Sequence, residues 1–400
     1  MTRIAIVVSS PDRPDTGPAI ARGEAPRRDY FELRDMLGAD LLHVSNQRGW
    51  IYRATARLGG YSLMMALAAW AKRNSYDVIL TDQEGTGLIF ALLCKLTRTR
   101  VGHVMISHYL TPAVKQFFYR VLRVHTHINR TICYSTPQER LAREKLGLGA
   151  DRVSMVLHPA DSLFWRPPAS AEEQEADARL LSAAGLDIPP DAPVVCSAGL
   201  EFRDYPTLMQ AAHYLPTGTL VVIAAASPWS KRKNTAQGME LPENVHVVSL
   251  KPVQLRALYR RADVVAIPLQ DVDFQAGSLV AYEAMACGKP VVITRSRGQV
   301  DIVREGQTGY YVPAGDAGAM AAALNRVLSD RQLAHELGRQ ARIVVEEGLN
   351  LDTYLRRMVE ITREVIMTGA EQNAALNAPH LPVHPGGGEA THPTGGHFTT

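Results

Sequence analysis

The chain's clearest opportunity for chemistry lies at one loop-to-helix junction. Gln275, Ala276 and Gly277 lead into a helix-period stretch, Leu279 to Cys287, with Ser278 placed as its N-cap and Gly288 as the residue that ends it. The first N–H groups of such a helix have no partner within it, and after Ala276 and Gly277 nothing bulky keeps a ligand away. That arrangement suits an anion, a phosphate above all. Glu283, one to two turns in, is placed to accept hydrogen bonds from hydroxyls beside that anion. For the segment in isolation, a capped helix with a surface glutamate is the better reading.

Other chemistries lose support. No Gly-x-Gly-x-x-Gly follows the first strand-like run, and the one Gly-Lys, at Gly288 and Lys289, has Glu283 where a P-loop needs glycine and Pro290 where it needs Ser or Thr. Asp271 and Asp273 form an Asp-x-Asp pair able to hold a metal, a spacing that chance alone supplies in a chain of this size. Cys94, Cys133, Cys196 and Cys287 contain no Cys-x-x-Cys pair, so they suggest neither a zinc site nor a disulfide framework and read as small buried hydrophobes.

The elements that must position the junction form two series. Short β-rich runs at Arg3 to Val8, Asp40 to Val44, Asp77 to Thr81, Val101 to Ser107, Thr131 to Tyr134 and Val153 to Leu157 alternate with helix-period stretches such as Tyr61 to Arg73 and Gly87 to Leu96. After an acid-, Ala- and Pro-rich passage, strands are predicted at Pro193 to Ala198, Thr219 to Ala224, Val245 to Leu250, Asp263 to Pro268 and Pro290 to Thr294. Their helices are Tyr205 to Tyr214, Pro252 to Arg261, Leu279 to Cys287, Ala317 to Ser329 and Arg331 to Glu347. Such alternation implies βαβ units and parallel sheets. The fold class is therefore α/β, with two doubly wound Rossmann-like domains facing across a cleft. The boundaries read as a first domain at 1–165, a hinge with room for one helix at 166–192, a second domain at 193–348, an amphipathic helix at 349–367 crossing back to the first, and a disordered tail at 368–400. The tail carries His380, His384, His392 and His397.

Four hundred residues fit about two domains. The longest apolar stretches, such as Ser62 to Ala71, are roughly half the ~20 residues of a membrane-spanning helix, and no basic-then-apolar leader opens the chain, so a cytoplasmic protein is expected. Charge is unevenly spread. Residues 1–165 hold 22 Lys and Arg against 14 Asp and Glu, a balance of +8 that leaves −5 for the remainder. No acidic residue occurs between Glu84 and Glu139, a window that includes Lys95, Arg98, Arg100, Lys115, Arg120, Arg123 and Arg130. This one-signed field suits an anionic partner; an ordinary solvated surface balanced elsewhere in the fold is the competing reading.

The stretch from Ala262 to Asp316 resembles the nucleotide-sugar half of glycosyltransferase family 4, retaining enzymes of the GT-B fold. The matching pattern runs through Glu283, Ala284, Met285, Ala286, Gly288, Pro290, Val291 and Val292, and continues in Gly298, Asp301, Gly306, Gly309, Val312, Gly315 and Asp316. Weaker resemblance covers most of residues 1–367, including His158, Pro159, Ala160, Asp161 and Phe164 where the family carries Asn-Gly-Val-Asp ahead of an aromatic residue. Two departures stand out. The family's first glutamate falls on Gln275, which hydrogen-bonds hydroxyls but carries no charge. After the strand at Val194 the family's Gly-Arg and Lys-Gly diphosphate clamp is thinned to Gly199, Leu200, Glu201, Phe202, Arg203, with Arg203 the basic group in register; Lys231, Arg232 and Lys233 offer a second cation or a surface cluster.

What the resemblance implies is a metal-independent, retaining transfer of a sugar from a UDP- or GDP-sugar to an acceptor hydroxyl, with no cofactor and no nucleic acid partner. Arg203 and the N–H groups of Gly277, Ser278 and Leu279 would hold the departing diphosphate, Glu283 the ribose, and Gln275 the donor sugar. The leaving phosphate would take the acceptor proton. His108, after the strand ending at Ser107, stands where the family presents a polar residue to the sugar, and Asp82 and Glu84 are expected to face the same cleft. A nucleotide-sugar binder without transferase activity, or an epimerase of the same shape, is the alternative that Gln275 motivates. For the acceptor, Thr111 and Pro112 open a predicted helix to about Val124 with Val114, Phe117, Phe118, Val121 and Leu122 on one face and Lys115, Arg120 and Arg123 beside it. That face either packs on the core or lies against an anionic membrane or lipid-linked acceptor, a peripheral contact at the inner face of a membrane.

Overall fold

The computed structural model describes residues 2–12, 15–225 and 240–377. Lys231, Arg232, Lys233 and the four tail histidines fall outside the described residues. The first sheet comprises β1 (Ile4–Val8), β2 (Asp40–His43), β3 (Val78–Thr81), β4 (Gly102–Ser107), β5 (Arg130–Cys133) and β6 (Val153–Met155), in the order β2-β1-β3-β4-β5-β6. The second comprises β7 (Val194–Ala198), β8 (Leu220–Ala224), β9 (Val245–Val248), β10 (Val264–Ile267), β11 (Val291–Thr294) and β12 (Gly309–Val312), in the order β12-β11-β10-β7-β8-β9. Every pairing is parallel. Helices cover both faces of such sheets, which is why strands like IAIVV of β1 and VVCSA of β7 are buried at every position.

β12 is not among the strands predicted from the sequence. Its four residues, Gly309, Tyr310, Tyr311 and Val312, sit between turn residues, and it forms by pairing with β11 at the sheet edge. The helices Thr16–Ala21 and Asp29–Leu37 are likewise additions, as is a helical stretch from Trp50 that breaks at Gly59 and Gly60, directly before the start of the predicted helix at Tyr61.

Each sheet reverses its winding once, between β1 and β3 in the first and between β7 and β10 in the second. Strand order of this kind opens a crevice at the carboxyl ends flanking the reversal, where α/β proteins bind ligands. The loops leaving those ends in one half meet their counterparts in the other: the Tyr109 ring packs tilted against Phe274 with centroids 4.7 Å apart, and Thr136 bonds to Asp301. The cleft is closed at this rim.

The chain passes between the halves twice at one place. Ala160 N donates to Leu349 O and Leu351 N to Ala160 O, each at 2.9 Å. Arg27 pins the crossing, with Nη2 3.0 Å from Asp161 Oδ1 and Nη1 3.0 Å from Asp352 Oδ1. Residues 166–192, read from composition as a hinge with room for one helix, carry the helix Ala171–Ser182, joined to the helix Pro252–Arg261 by the Asp177–Arg260 ion pair at 3.0 Å. The final helix, Leu351–Asn377, buries Tyr354, Leu355, Met358, Ile361 and Val365 against Ile4, Val104 and Ile106 of the first sheet. It runs past Met367, where composition predicts disorder.

Candidate functional site

The loop after β10 delivers the junction to the second sheet's crevice. The helix is Ser278–Ala286, and its N-cap is Gly277 rather than the expected Ser278, held left-handed at φ 77° with no side chain capping the turn. A left-handed residue there favours glycine. The N–H groups of Ser278 and Leu279 are therefore left for a ligand, at the positive end of the helix dipole. The other end closes as the sequence indicates: Gly288 N bonds to Met285 O and Lys289 N to Ala284 O, a Schellman turn.

Two glycines let a buried cation approach this end. Arg203 is 3 % exposed, donating from Nε to Ala198 O and from Nη1 to Glu201 O, both at 2.8 Å. Its guanidinium lies against Gly199 and Gly277; a Cβ on Gly199 would stand 2.7 Å from Nη2 and one on Gly277 3.5 Å from Nη1. Arg203 thus reaches the crevice from beneath the glycine loops, as a fixed charge under the helix start rather than a solvent-facing clamp. Burial pulls its pKa below the ordinary arginine value.

Glu283 stands behind the helix start, receiving a hydrogen bond from the buried Tyr259 hydroxyl at 3.1 Å. Burial raises its carboxyl to about 8, against the opposing pull of that bond and of Arg28 and Arg203. Arg28, which precedes the helix Asp29–Leu37 of the first half, is thereby brought to the donor side of the cleft. Gln275 is beside them. Neither atom of its buried amide has a hydrogen-bond partner of standard geometry, and its neighbour is the Tyr282 hydroxyl. Leu279 is exposed at the mouth.

The loop after β11 supports the junction from below. Gln299 is fully buried and donates from Nε2 to Ala276 O at 2.5 Å, while Gly298 N donates to Val272 O. A Cβ on Gly298 would meet Phe274 N at 2.2 Å and Phe274 O at 2.3 Å. Gly298→Ala is expected to destabilise the protein by about 1–3 kcal/mol through that overpacking and to shift the loop carrying Gln275. Thermal melting checks it beside Gly348→Ala, whose Cβ would meet nothing within 4 Å.

From the first half, His108 is exposed at the end of β4. Its Nε2 donates to Asp82 O at 3.1 Å, its N–H donates to Glu84 Oε2 at 2.9 Å, and its ring packs edge-on against Tyr134. Asp82 and Glu84 were expected to face the cleft; they brace the His108 loop instead. Asp82 accepts from Ser9 N and Oγ, both at 2.8 Å, and burial raises its carboxyl to about 6. Glu84 pairs with Lys115 at 2.5 Å, and although burial works the other way, His108 and Lys115 hold its carboxyl below the ordinary value.

Lys115 is consequently no part of a surface patch. The helix after β4 is Ala113–Arg120, shorter than the predicted run to Val124, because Arg123 turns left-handed at φ 49°. Its apolar stripe faces outward: Val114 is 64 % exposed, Phe117 48 % and Val121 62 %, with Phe118 and Leu122 half-buried against the core and Arg120 and Arg123 exposed. Lys95 Nζ donates to Leu122 O at 2.6 Å.

Asp271 and Asp273 are already engaged, Asp271 with Arg297 at 3.2 Å and Asp273 with the Tyr109 hydroxyl. Among the described residues no group of three or more His, Cys, Asp or Glu could hold a metal ion, and the four cysteines are buried and free.

Comparison with known proteins falls on this same half. The family described as Glycosyl transferases group 1 matches residues 189–344. Over 205 residues the chain is 34 % identical to a D-inositol 3-phosphate glycosyltransferase of Xylanimonas cellulosilytica, covering 49 % of this chain and 46 % of that protein. It is 27 % identical over 258 residues to a GDP-mannose-dependent alpha-(1-6)-phosphatidylinositol monomannoside mannosyltransferase of Mycolicibacterium smegmatis, covering 57 % and 66 %. The chain spans about half the length of the first curated relatives it matches. In fold it is similar to sucrose-phosphate synthase from Thermosynechococcus elongatus, with TM-score 0.67, 17 % identity and coverage of 92 % and 100 %. It is also similar to Anabaena HepE in complex with UDP-glucose, with TM-score 0.64, 15 % identity and coverage of 93 % and 100 %. The two parallel six-stranded sheets meeting at their carboxyl ends have the GT-B fold, and the segment that matches the Glycosyl transferases group 1 family, residues 189–344, holds the uncapped helix.

Proposed function

We propose that the protein transfers a sugar from a nucleoside diphosphate sugar, UDP- or GDP-linked, to an acceptor hydroxyl with retention of anomeric configuration and without a metal. The observation that carries this reading is the uncapped start of the helix Ser278–Ala286 at the sheet's reversal, with Arg203 beneath and Glu283 behind it. The diphosphate lies on the N–H groups of Gly277, Ser278 and Leu279, where the helix dipole and Arg203 stabilise the charge that grows as the glycosidic bond breaks. Glu283 takes the ribose hydroxyls and Gln275 those of the sugar. The acceptor enters from the His108 side, and the departing phosphate oxygen removes its proton on the face it leaves. The test is incubation with a panel of UDP- and GDP-sugars and a cell lipid extract, with chelator present, followed by analysis of released nucleotide and of product anomers. An inverted product overturns retention, and activity restored only by divalent metal overturns metal independence. Nucleotide binding with no transfer leaves the binder that Gln275 motivates, and a new sugar nucleotide with no transfer leaves the epimerase.

The acceptor is read as lipid-linked. The Mycolicibacterium smegmatis relative is named for a phosphatidylinositol monomannoside, and here an exposed apolar patch of Val114, Phe117 and Val121 carries Arg120 and Arg123 beside it. Such a surface suits anionic headgroups. No helix among the described residues is long and apolar enough to cross a membrane, so the contact is peripheral. Co-sedimentation with vesicles rich in acidic lipid is expected at low salt, lost at high salt, and weakened about tenfold or more by Arg120→Glu with Arg123→Glu. Protein remaining in the supernatant at low salt points to a soluble acceptor.

A further inference from the structure

The two halves touch at a second place besides the Ala160–Asn350 crossing, and that contact reaches the donor loop. Thr136, at the start of the short helix Thr136–Arg140 after β5, presents its N–H and its hydroxyl to one carboxylate of the other half, with N 2.8 Å from Asp301 Oδ2 and Oγ1 2.7 Å from Asp301 Oδ1. Ser135, the N-cap residue, makes no capping bond with its own side chain, so Asp301 does across the cleft what an N-cap usually does within a chain. Gln138, 2 % exposed, is held by Leu110 N on its Oε1 at 2.7 Å and donates from Nε2 to Asp273 O at 2.8 Å. Tyr109 closes the set by packing its ring at a tilt against Phe274.

These bonds end on the segments that shape the donor site. Asp273 and Phe274 directly precede Gln275, and Asp301 belongs to the loop whose Gln299 holds Ala276 O. A bidentate, charge-assisted bond with a buried amide beside it is far more directional than an apolar contact, so it specifies one closed arrangement. We propose that Thr136–Asp301 and Gln138–Asp273 form a closure latch that fixes the loop bearing Gln275 and Gly277 against the first half, making Thr136, Gln138 and Asp301 positioning residues for the transfer. This rests on reading the crevice as the nucleotide-sugar site. Opening the latch frees the halves to turn about the Arg27-pinned crossing and releases the donor loop in the same movement.

A double-variant cycle tests it on the full chain: Thr136→Val, Asp301→Ala, both together, and Thr136→Ser, which keeps hydroxyl and N–H. X-ray scattering from nucleotide-free protein reports closure whatever the crevice binds, and calorimetry with UDP and GDP on the parent reports the site whatever the latch does. The expected result is a larger radius of gyration in both single variants and affinity for the bound nucleotide about five- to tenfold weaker. The double variant should be no worse than either single one, and Thr136→Ser should match the parent. An unchanged radius in Thr136→Val and Asp301→Ala, or losses that multiply in the double variant, overturns the latch. Failure of the parent to bind either nucleotide overturns the site reading instead, and circular-dichroism melting shows that each variant is folded.

Discussion

Arg203→Ala is expected to lower turnover by about 10²–10³-fold, the cost of removing one preorganised charge from a developing anion. It is also expected to lower stability, because the side chain satisfies the buried Ala198 O, where water does not replace it, as well as bonding Glu201 O. Unsatisfied buried carbonyls cost on the order of 1–3 kcal/mol each. The two effects separate kinetically. A charge acting on the leaving group lowers kcat with little change in acceptor KM, whereas a merely loosened loop raises both KM values. Arg203→Lys keeps the charge and loses the planar fork, so it should fall between parent and alanine in turnover. Turnover in Arg203→Ala within a few-fold of the parent would remove this charge from the reaction.

Glu283 gives the second large effect. Glu283→Ala should weaken nucleotide binding roughly 10- to 100-fold, the equivalent of about 1.5–3 kcal/mol for a charged hydrogen bond to the ribose. Its pH dependence has a definite sign. With the folded carboxyl raised to about 8 and the unfolded one near ~4.3, the native state holds a proton that the unfolded chain has lost. The stability this contributes is full below the unfolded value and is lost as pH rises through about 8, a slope absent from Glu283→Gln. Ribose hydroxyls prefer the ionised acceptor, so nucleotide affinity should rise from pH 7 to 9 in the parent and stay flat in Glu283→Gln. Calorimetry in buffers of different ionisation enthalpy should show a proton released on binding. Equal affinity and equal pH profiles in parent and variants would detach Glu283 from the ribose.

The parts of this site that follow local rules were legible in the sequence. An Ala-Gly pair before a helix-period run and a glycine after it located the turn read as the anion site, although Gly277 rather than Ser278 is its N-cap, because the left-handed turn leaves the serine one residue inside. Alternating β-branched runs predicted eleven strands, and the twelfth, Gly309–Val312, escaped because an edge strand of four residues is defined by its partner rather than by its own pattern. The helix Ala113–Arg120 shows the limit of periodicity. Val114, Phe117 and Val121 have the spacing of a core stripe, and spacing alone does not say whether a core is there to receive them. Least legible were the groups that act at long range. Tyr259 reaches Glu283 within the second half, while Asp301 on Thr136 and Arg28 on the donor side depend on the two halves meeting, and nothing near them in sequence announces it.

The central claim is that the start of the helix Ser278–Ala286 binds the diphosphate of a nucleotide. A crystal structure of the full chain grown with UDP or GDP tests it most directly. The account predicts phosphate oxygens on the N–H groups of Gly277, Ser278 and Leu279, above the Arg203 guanidinium, with both ribose hydroxyls on Glu283. A nucleotide bound anywhere else in the chain, or diphosphate density away from this helix start, would contradict it.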